Sequence, residues 1–222
     1  MDEIGPGKGP FLVLLHGAGE SHVMWGPQRE ALSGRFQLLL PDLPGYGRSP
    51  GPFSLDAAAD ALHAVTRKRP VHVCGLSAGA MVALRWAARY PGDIASLMLS
   101  GVQVRPPRLI TGLQTAMMRL MPTRSFEEDG VTKPQLLQVM GQLRRADLRS
   151  DLGLVTARTL VTCGAEDRLN LVASRTAAAG IPNAELRIIP EAKHLWNQDL
   201  PELFNRTVID WVQAPPVTSA GT

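Results

Sequence analysis

Short apolar runs separated by longer stretches of helical spacing recur along the chain. Phe11 to Leu15 is one such run, and residues 36–41, 71–75, 95–101, 159–164 and 185–190 repeat its character, rich in Val, Leu and Ile with little polar alternation. Strands covered on both faces read this way, whereas a half-exposed strand alternates. Between the runs, residues 55–67 follow the N-capping residue Ser54, and 78–90 stop at Pro91-Gly92, so both read as helices. A further helix is expected over 201–212, where Leu203, Phe204, Val208, Trp211 and Val212 share one face. Strand and helix in alternation predict an α/β class, with a mostly parallel six-stranded sheet and helices on both faces.

The alternation breaks between residues 102 and 158, where two helical stretches, 109–121 and 134–149, replace a single crossover and flank a loop from Pro122 to Thr132. This segment reads as a short helical lid inserted into one domain spanning 1–222. The tail, 213–222, is expected to be disordered because prolines and small polar residues cannot bury enough apolar surface. A length of 222 residues, 45% apolar and 19% charged, suits one domain with its own core. No apolar run approaches the roughly 20 residues of a membrane span, and residues 1–10 lack a signal core, so a cytoplasmic location is expected. The net charge of +3 lacks the long basic runs and aromatic platforms of a nucleic-acid binder. Cys74 and Cys163 each close a buried run and read as inert core thiols.

Candidate chemistry begins at Gly75-Leu76-Ser77-Ala78-Gly79, a G-x-S-x-G pattern between a strand and a helix. Alone it is a weak signal. In this context the chain must reverse at Ser77, and glycines at 75 and 79 would clear the crowding on either side of the turn. A serine hydroxyl needs a base, and the base an acid. Of the five histidines, His22 and His63 read as surface groups and His72 lies within a strand. His16 and His194 close strands, where groups on open parallel sheets gather. His16 opens His16-Gly17-Ala18-Gly19 and reads as a brace for that loop, leaving His194 as the base. For the acid, the run 159–164 delivers Glu166 and Asp167, and spacing leaves both within reach of the imidazole.

With these residues placed, residues 11–212 resemble the α/β-hydrolase superfamily of serine hydrolases. The likeness rests on the H-G-x-G loop at 16–19, Asp42-Leu43-Pro44-Gly45-Tyr46-Gly47-Arg48-Ser49, the Ser77 elbow, and G-x-x-D from Gly164 followed by His194-Leu195. It implies Ser77 as nucleophile, His194 as base, Asp167 as acid, and an oxyanion hole from the N–H groups of Ala18 and Ala78, with His16, Gly17, Gly75 and Gly79 supporting. It implies no cofactor and no metal. The wording around Ser77 and His194 is most similar to enol-lactone hydrolases and pimeloyl-carrier methyl-ester esterases, which process small carboxylic esters. Acyl transfer, perhydrolysis and carbon–carbon bond hydrolysis use the same residues, and a non-catalytic ligand binder is the rival class. Epoxide and haloalkane hydrolysis need a carboxylate where Ser77 stands.

Three features depart from the family pattern, one being the shortness of the lid, which implies an open or shallow pocket. Only about ten residues precede the first strand, so the antiparallel hairpin that usually opens this fold is expected to be missing, leaving a sheet edge bare or otherwise covered. Lys193 stands where glycine commonly precedes the base. Residues 105–150 carry eight cations against four carboxylates, an asymmetry for which solvated helix faces are the preferred explanation and docking of an anionic ester or an acidic carrier the second. The expected partner is thus a small ester or lactone, free or carrier-bound, with neither nucleic acid nor membrane. Met117, Met118, Met121 and Met140 are expected to pack the lid onto the sheet.

Overall fold

The computed structural model describes residues 2–4, 9–46, 49, 51–66, 69–120 and 132–215. Six parallel strands form where the apolar runs stand: β2 (Phe11–Leu15), β3 (Gln37–Leu40), β4 (Val71–Leu76), β5 (Ile94–Ser100), β6 (Arg158–Gly164) and β7 (Ala184–Ile189). A seventh, the three-residue β1 (Asp2–Ile4), pairs antiparallel with β3, and the sheet order is β1-β3-β2-β4-β5-β6-β7. The hairpin expected to be missing is thus represented by one short strand, which covers the outer edge of β3 that would otherwise offer its backbone to solvent.

Alternate residues of the strands feed two cores. Val13, Leu15, Leu39, Val73, Leu97, Leu99 and Val161 face one side, where α2 (Leu55–Val65) and α3 (Ala78–Arg89) lie. Leu12, Leu14, Leu38, Leu40, Cys74, Met98 and Leu160 face the other, against α1 (Gly26–Leu32) and α9 (Pro201–Gln213), with Trp25, Trp196, Phe204 and Trp211 between. The parallel strands β2 to β6 are therefore covered twice, which is why their sequences show little polar alternation, whereas the edge strand β7 is largely exposed and alternates Glu185 and Arg187 with Leu186 and Ile188. Ser54 caps α2 through its side chain, which accepts from the Ala57 N–H. Cys74 and Cys163 are both buried and free.

Between β5 and β6 stand α4 (Arg108–Leu120), α5 (Lys133–Arg145) and α6 (Arg149–Leu152). Thr132 and Gln135 form a capping box that starts α5, and Leu136, Val139 and Leu143 carry its inner face into the core above α3. The helix expected over 134–149 is interrupted after Arg145, where Ala146 turns extended. Met118 and Met140 pack against the core, as their apolar character suggests, but Met117 is exposed on the opposite face of α4. Met121 and most of the loop from Pro122 to Thr132 lie outside the described residues, as does most of the tail expected to be disordered. Among the described residues no helix is long and apolar enough to cross a membrane.

Helix α3, at the centre of the fold, is tied at its far end to buried Asp93, whose Oδ2 accepts from Trp86 Nε1 at 2.8 Å and lies 2.6 Å from His63 Nδ1. The His63 ring stacks on Tyr90 with centroids 3.8 Å apart, so this histidine is built into the structure and is not merely a solvated helix group. Asp93→Ala strands the buried Trp86 N–H and removes the partner of the part-exposed His63, and is expected to lower the unfolding free energy by about 1–3 kcal/mol. Urea unfolding at neutral pH measures this, and a loss below about 0.5 kcal/mol would contradict it.

Candidate active site

β4 ends at Leu76 and α3 begins at Ala78, so the reversal falls on Ser77 alone. Ser77 adopts φ 56° and ψ −115°, a region that L residues with a Cβ enter at a cost of about 1–3 kcal/mol. Its backbone is held from both sides: its N–H donates to Ser100 O at 2.9 Å, and its carbonyl accepts from the Met81 N–H at 3.1 Å. A Cβ at Gly75 would fall on the Gly79 carbonyl, and one at Gly79 would fall on the carbonyls of Leu15 and His16. Gly79 is therefore required less by Gly75 than by the end of β2, across which α3 lies in direct backbone contact. Ser77 itself is partly exposed.

The loop after β2 lies beside this turn, and a Cβ at Gly17 would sit 3.5 Å from the Ser77 Cβ. Ala18 follows in the loop, and Gly19 at φ 83° turns it away beneath Leu136 of α5. Ala78 occupies the first position of α3, where a backbone N–H has no intrahelical acceptor. His16 is fully buried and braces the loop: its Nε2 accepts from the Leu43 N–H at 3.0 Å, its Nδ1 lies 2.9 Å from Gly17 O, and its ring meets Tyr46 edge-on. Burial lowers its pKa to about 4, against a smaller upward pull from the Gly17 bond and Asp42. An unprotonated Nε2 and a protonated Nδ1 satisfy both bonds at once. His22 is paired with Asp42 at 2.8 Å.

At the far side of the rim, Asp167 stands at the N-cap position of α7 (Arg168–Gly180), its side chain turned to His194 and making no capping hydrogen bond, and His194 follows β7 in a loop. His194 Nδ1 lies 2.7 Å from Asp167 Oδ2. Glu166, the other acid that spacing left open, is exposed. Two glycines make the crossing of β5 and β6 possible: Gly164, which opens the G-x-x-D motif, and Gly101, which the sequence did not single out. A Cβ at Gly164 would fall on Ala192 O and crowd Lys193 O, so the loop carrying His194 lies directly on the end of β6. Gly101, at φ 58°, leaves only 3.1 Å between a built Cβ and the His194 ring. Ser100 holds the Ser77 N–H and the next residue, Gly101, lies against the His194 ring, so both residues approach the end of β5. Trp196 Nε1 donates to Ser100 Oγ at 2.8 Å and anchors the chain just beyond His194.

Asn170, in the first turn of α7, is also new. Its Nδ2 donates to both Asp167 oxygens at 2.8 and 2.9 Å and lies 3.1 Å from His194 Nδ1. Gln103 Nε2 donates to Asn170 Oδ1 at 2.7 Å and to Leu169 O at 2.9 Å, which fixes the orientation of the Asn170 amide. Burial pushes the Asp167 pKa up, but the hydrogen bond and charge of His194 and the bonds from Asn170 outweigh it, leaving the carboxyl below its ordinary value. The Cys163 thiol backs the same carboxylate at 3.8 Å, and burial raises its own pKa to about 11. No group of three or more His, Cys, Asp or Glu side chains among the described residues is placed to hold a metal ion.

A family model described as "Alpha/beta hydrolase family" matches residues 12–207. A pimeloyl-[acyl-carrier protein] methyl ester esterase from Chromobacterium violaceum is 30% identical, over 85% of this chain and 88% of the relative. A putative carbamate hydrolase, RutD, from Caulobacter sp. is 28% identical over 90% of each chain. Among solved structures, the enol-lactonase from Burkholderia xenovorans LB400 is similar in fold, with a TM-score of 0.83, 23% identity and coverage of 96% and 95% of the two chains. A thermophilic esterase from Thermogutta terrifontis gives a TM-score of 0.76 at 25% identity, covering 93% of this chain and 90% of that one.

The depressed pKa of His16 has a consequence for stability. The unfolded chain takes up a proton near pH 6.5 and the folded one only near 4, so folded stability falls as pH drops across that window, by about 3 kcal/mol in all. His16→Gln removes this dependence. The gap in unfolding free energy between the two proteins is expected to narrow from pH 7 to pH 4, and a constant gap in urea titrations would show that His16 is not held neutral.

Proposed function

This chain belongs to the alpha/beta hydrolase family, and on that premise we propose that it is a serine hydrolase cleaving small carboxylic esters or lactones through an acyl-enzyme on Ser77. The observation that carries the reading is the 2.7 Å contact between His194 and Asp167 beside the strained turn at Ser77. The relatives named as ester and carbamate hydrolases, similar along most of their length, support the same class of chemistry.

In this mechanism the Ser77 hydroxyl attacks the carbonyl carbon of the substrate while His194 takes its proton. Asp167 orients the imidazole and stabilises the imidazolium, for which an acid kept ionised by its hydrogen bonds is suited. The N–H groups of Ala18 and Ala78 receive the developing oxyanion, each donor of this kind contributing about 3 kcal/mol in the transition state. His194 then protonates the departing alcohol, water attacks the acyl-enzyme with His194 as base, and the acid leaves. His16 acts at one remove, holding the loop of Gly17 and Ala18 in register through Gly17 and Leu43. The helices between β5 and β6 form the lid over this rim, with Leu136 of α5 above Gly19.

Ser77→Ala is expected to abolish turnover of short-chain nitrophenyl esters, by at least about 10³-fold, with an unchanged circular dichroism spectrum. A fluorophosphonate probe should label the unaltered protein at Ser77 and leave the variant unlabelled. Absence of labelling would favour a non-catalytic binder, and labelling without ester turnover would favour a more specialised acyl chemistry.

The Asn170 amide is expected to act as a positioning group for Asp167. Asn170→Ala should lower kcat by about 10-fold with little change in KM, whereas Asn170→Asp should lower it further, since a second carboxylate then faces the first at about 3 Å. Equal losses in the two variants, or a change in KM alone, would assign Asn170 a merely structural role.

A further inference from the structure

Helix α4 presents its apolar residues outward. At 3.6 residues per turn, Leu109, Leu113, Ala116, Met117 and Leu120 fall within about 100° of arc. The four larger ones are 87%, 73%, 60% and 88% exposed in that order. The face turned to the protein is built around Thr111, Thr115 and Met118, with Thr115 buried and its hydroxyl returned to the Thr111 carbonyl at 2.6 Å. A helix serving only as a cover would be turned the other way, with leucines inward and threonines in water. The inversion leaves a convex apolar ridge on the outer layer of the structure, above α5.

Charge completes the picture. Arg108 and Arg119 run along one flank of the ridge at the angular position of Gly112, and the Arg144 guanidinium of α5 lies against Gly112 itself, 3.4 Å from a built Cβ. Lys133 reaches the Arg119 carbonyl at 2.6 Å. Helices α4 and α5 together contain five cations and no Asp or Glu. A ridge of flexible aliphatic side chains beside a row of cations is the pattern of a helix that lies in the interface of a lipid layer, apolar side in the acyl boundary and cations at the headgroups. A second copy of this chain would bring two such cation rows together without a carboxylate from these helices to oppose them. A folded protein partner would need a groove for a convex ridge that offers no hydrogen-bonding side chain of its own along its crest.

We propose that α4 seats this protein on an anionic phospholipid surface, with Leu109, Leu113, Met117 and Leu120 entering the layer and Arg108, Arg119, Lys133 and Arg144 meeting the headgroups. This is a surface contact and not a span, so it is compatible with the lack of a membrane-length apolar run. It goes beyond the hydrolase reading and is tested without turnover.

Sedimentation of the full chain with vesicles of phosphatidylcholine, or of phosphatidylcholine and phosphatidylglycerol at 3:1, measures the partition directly. Stronger partition onto the anionic vesicles, weakened by salt, is expected. The double variant Leu113→Gln/Met117→Gln alters two exposed side chains and should reduce partition by about 10-fold or more, with the fold and soluble-ester hydrolysis intact. Arg108→Gln/Arg119→Gln should reduce it about 10-fold on anionic vesicles only. Ser77→Ala should bind as the unaltered protein does, which separates this proposal from the catalytic one. Failure to sediment with anionic vesicles would overturn it, as would partition indifferent to the Leu113 and Met117 changes. A concentration-dependent dimer abolished by those same changes would assign the ridge to a second copy, and saturable binding of purified acyl carrier protein in place of vesicles would assign it to an acidic protein.

Discussion

Everything at the rim depends on the backbone of Ser77 being held where it would not rest by itself. A non-glycine residue at φ 56° persists only when its surroundings over-determine it. Here they do so through hydrogen bonds on both sides of the residue and through the close seating of α3 on the sheet. That seating in turn requires a helix whose first turn is nearly smooth: Ala78, Gly79 and Ala80 are all buried, and the absence of a side chain at Gly79 lets the helix touch the carbonyls at the end of β2. The burial of α3, from Met81 to Ala87, supplies the favourable free energy against which this local strain is small. Relaxing the turn would withdraw the hydroxyl from the rim without removing any side chain.

The opposite half of the site is built by clearance and by satisfied polarity. Gly164 and Gly101 let the loop after β7 cross two strand ends closely enough for His194 to reach both Asp167 and the strand that braces Ser77. Asp167 is mostly buried, a position that by itself favours a neutral acid, yet it stays below its ordinary pKa because each oxygen accepts a hydrogen bond. The amide of Asn170 supplies two of those bonds, and Gln103, on the strap leading out of β5, fixes which way that amide points. His16 shows the converse case. It is held neutral by burial, and two backbone partners make use of both ring nitrogens.

The two main helices between β5 and β6 carry the same sign of charge but face opposite ways. In α5 the leucines and valine point into the core over α3, as a covering helix requires. In α4 the described inward side chains are Thr111, Thr115 and Met118, and the apolar ridge is on the outside. Packing explains the first helix completely and the second only in its inner half, which is why a surface role attaches to α4 and not to its neighbour.

Much of this was legible in the chain alone. The six parallel strands lie within one residue or so of the apolar runs; in β2 to β6 this is because a strand covered on both faces is apolar at nearly every position and leaves a local signature, which the exposed edge strand β7 carries only in part. The Ser77 turn was readable for a similar reason: the steric demands of a sharp reversal act on neighbours two residues away. The short helices α1 and α8 (Trp196–Asp199), and α7, which buries Asn170, Ser174 and Ala177 and exposes Leu169 and Val172, carried no comparable pattern. Periodicity could not say which acid meets His194, since Glu166 and Asp167 are adjacent and only the cap of α7 turns one inward. Nor could it identify Asn170 or Gly101, whose importance arises from contacts with segments distant in sequence. The direction of the α4 ridge was likewise undecided, and Met117 fell on the opposite side from that expected. An amphipathic pattern fixes that a helix has two faces; which face meets the protein is set by what lies beneath it, and only tertiary packing supplies that.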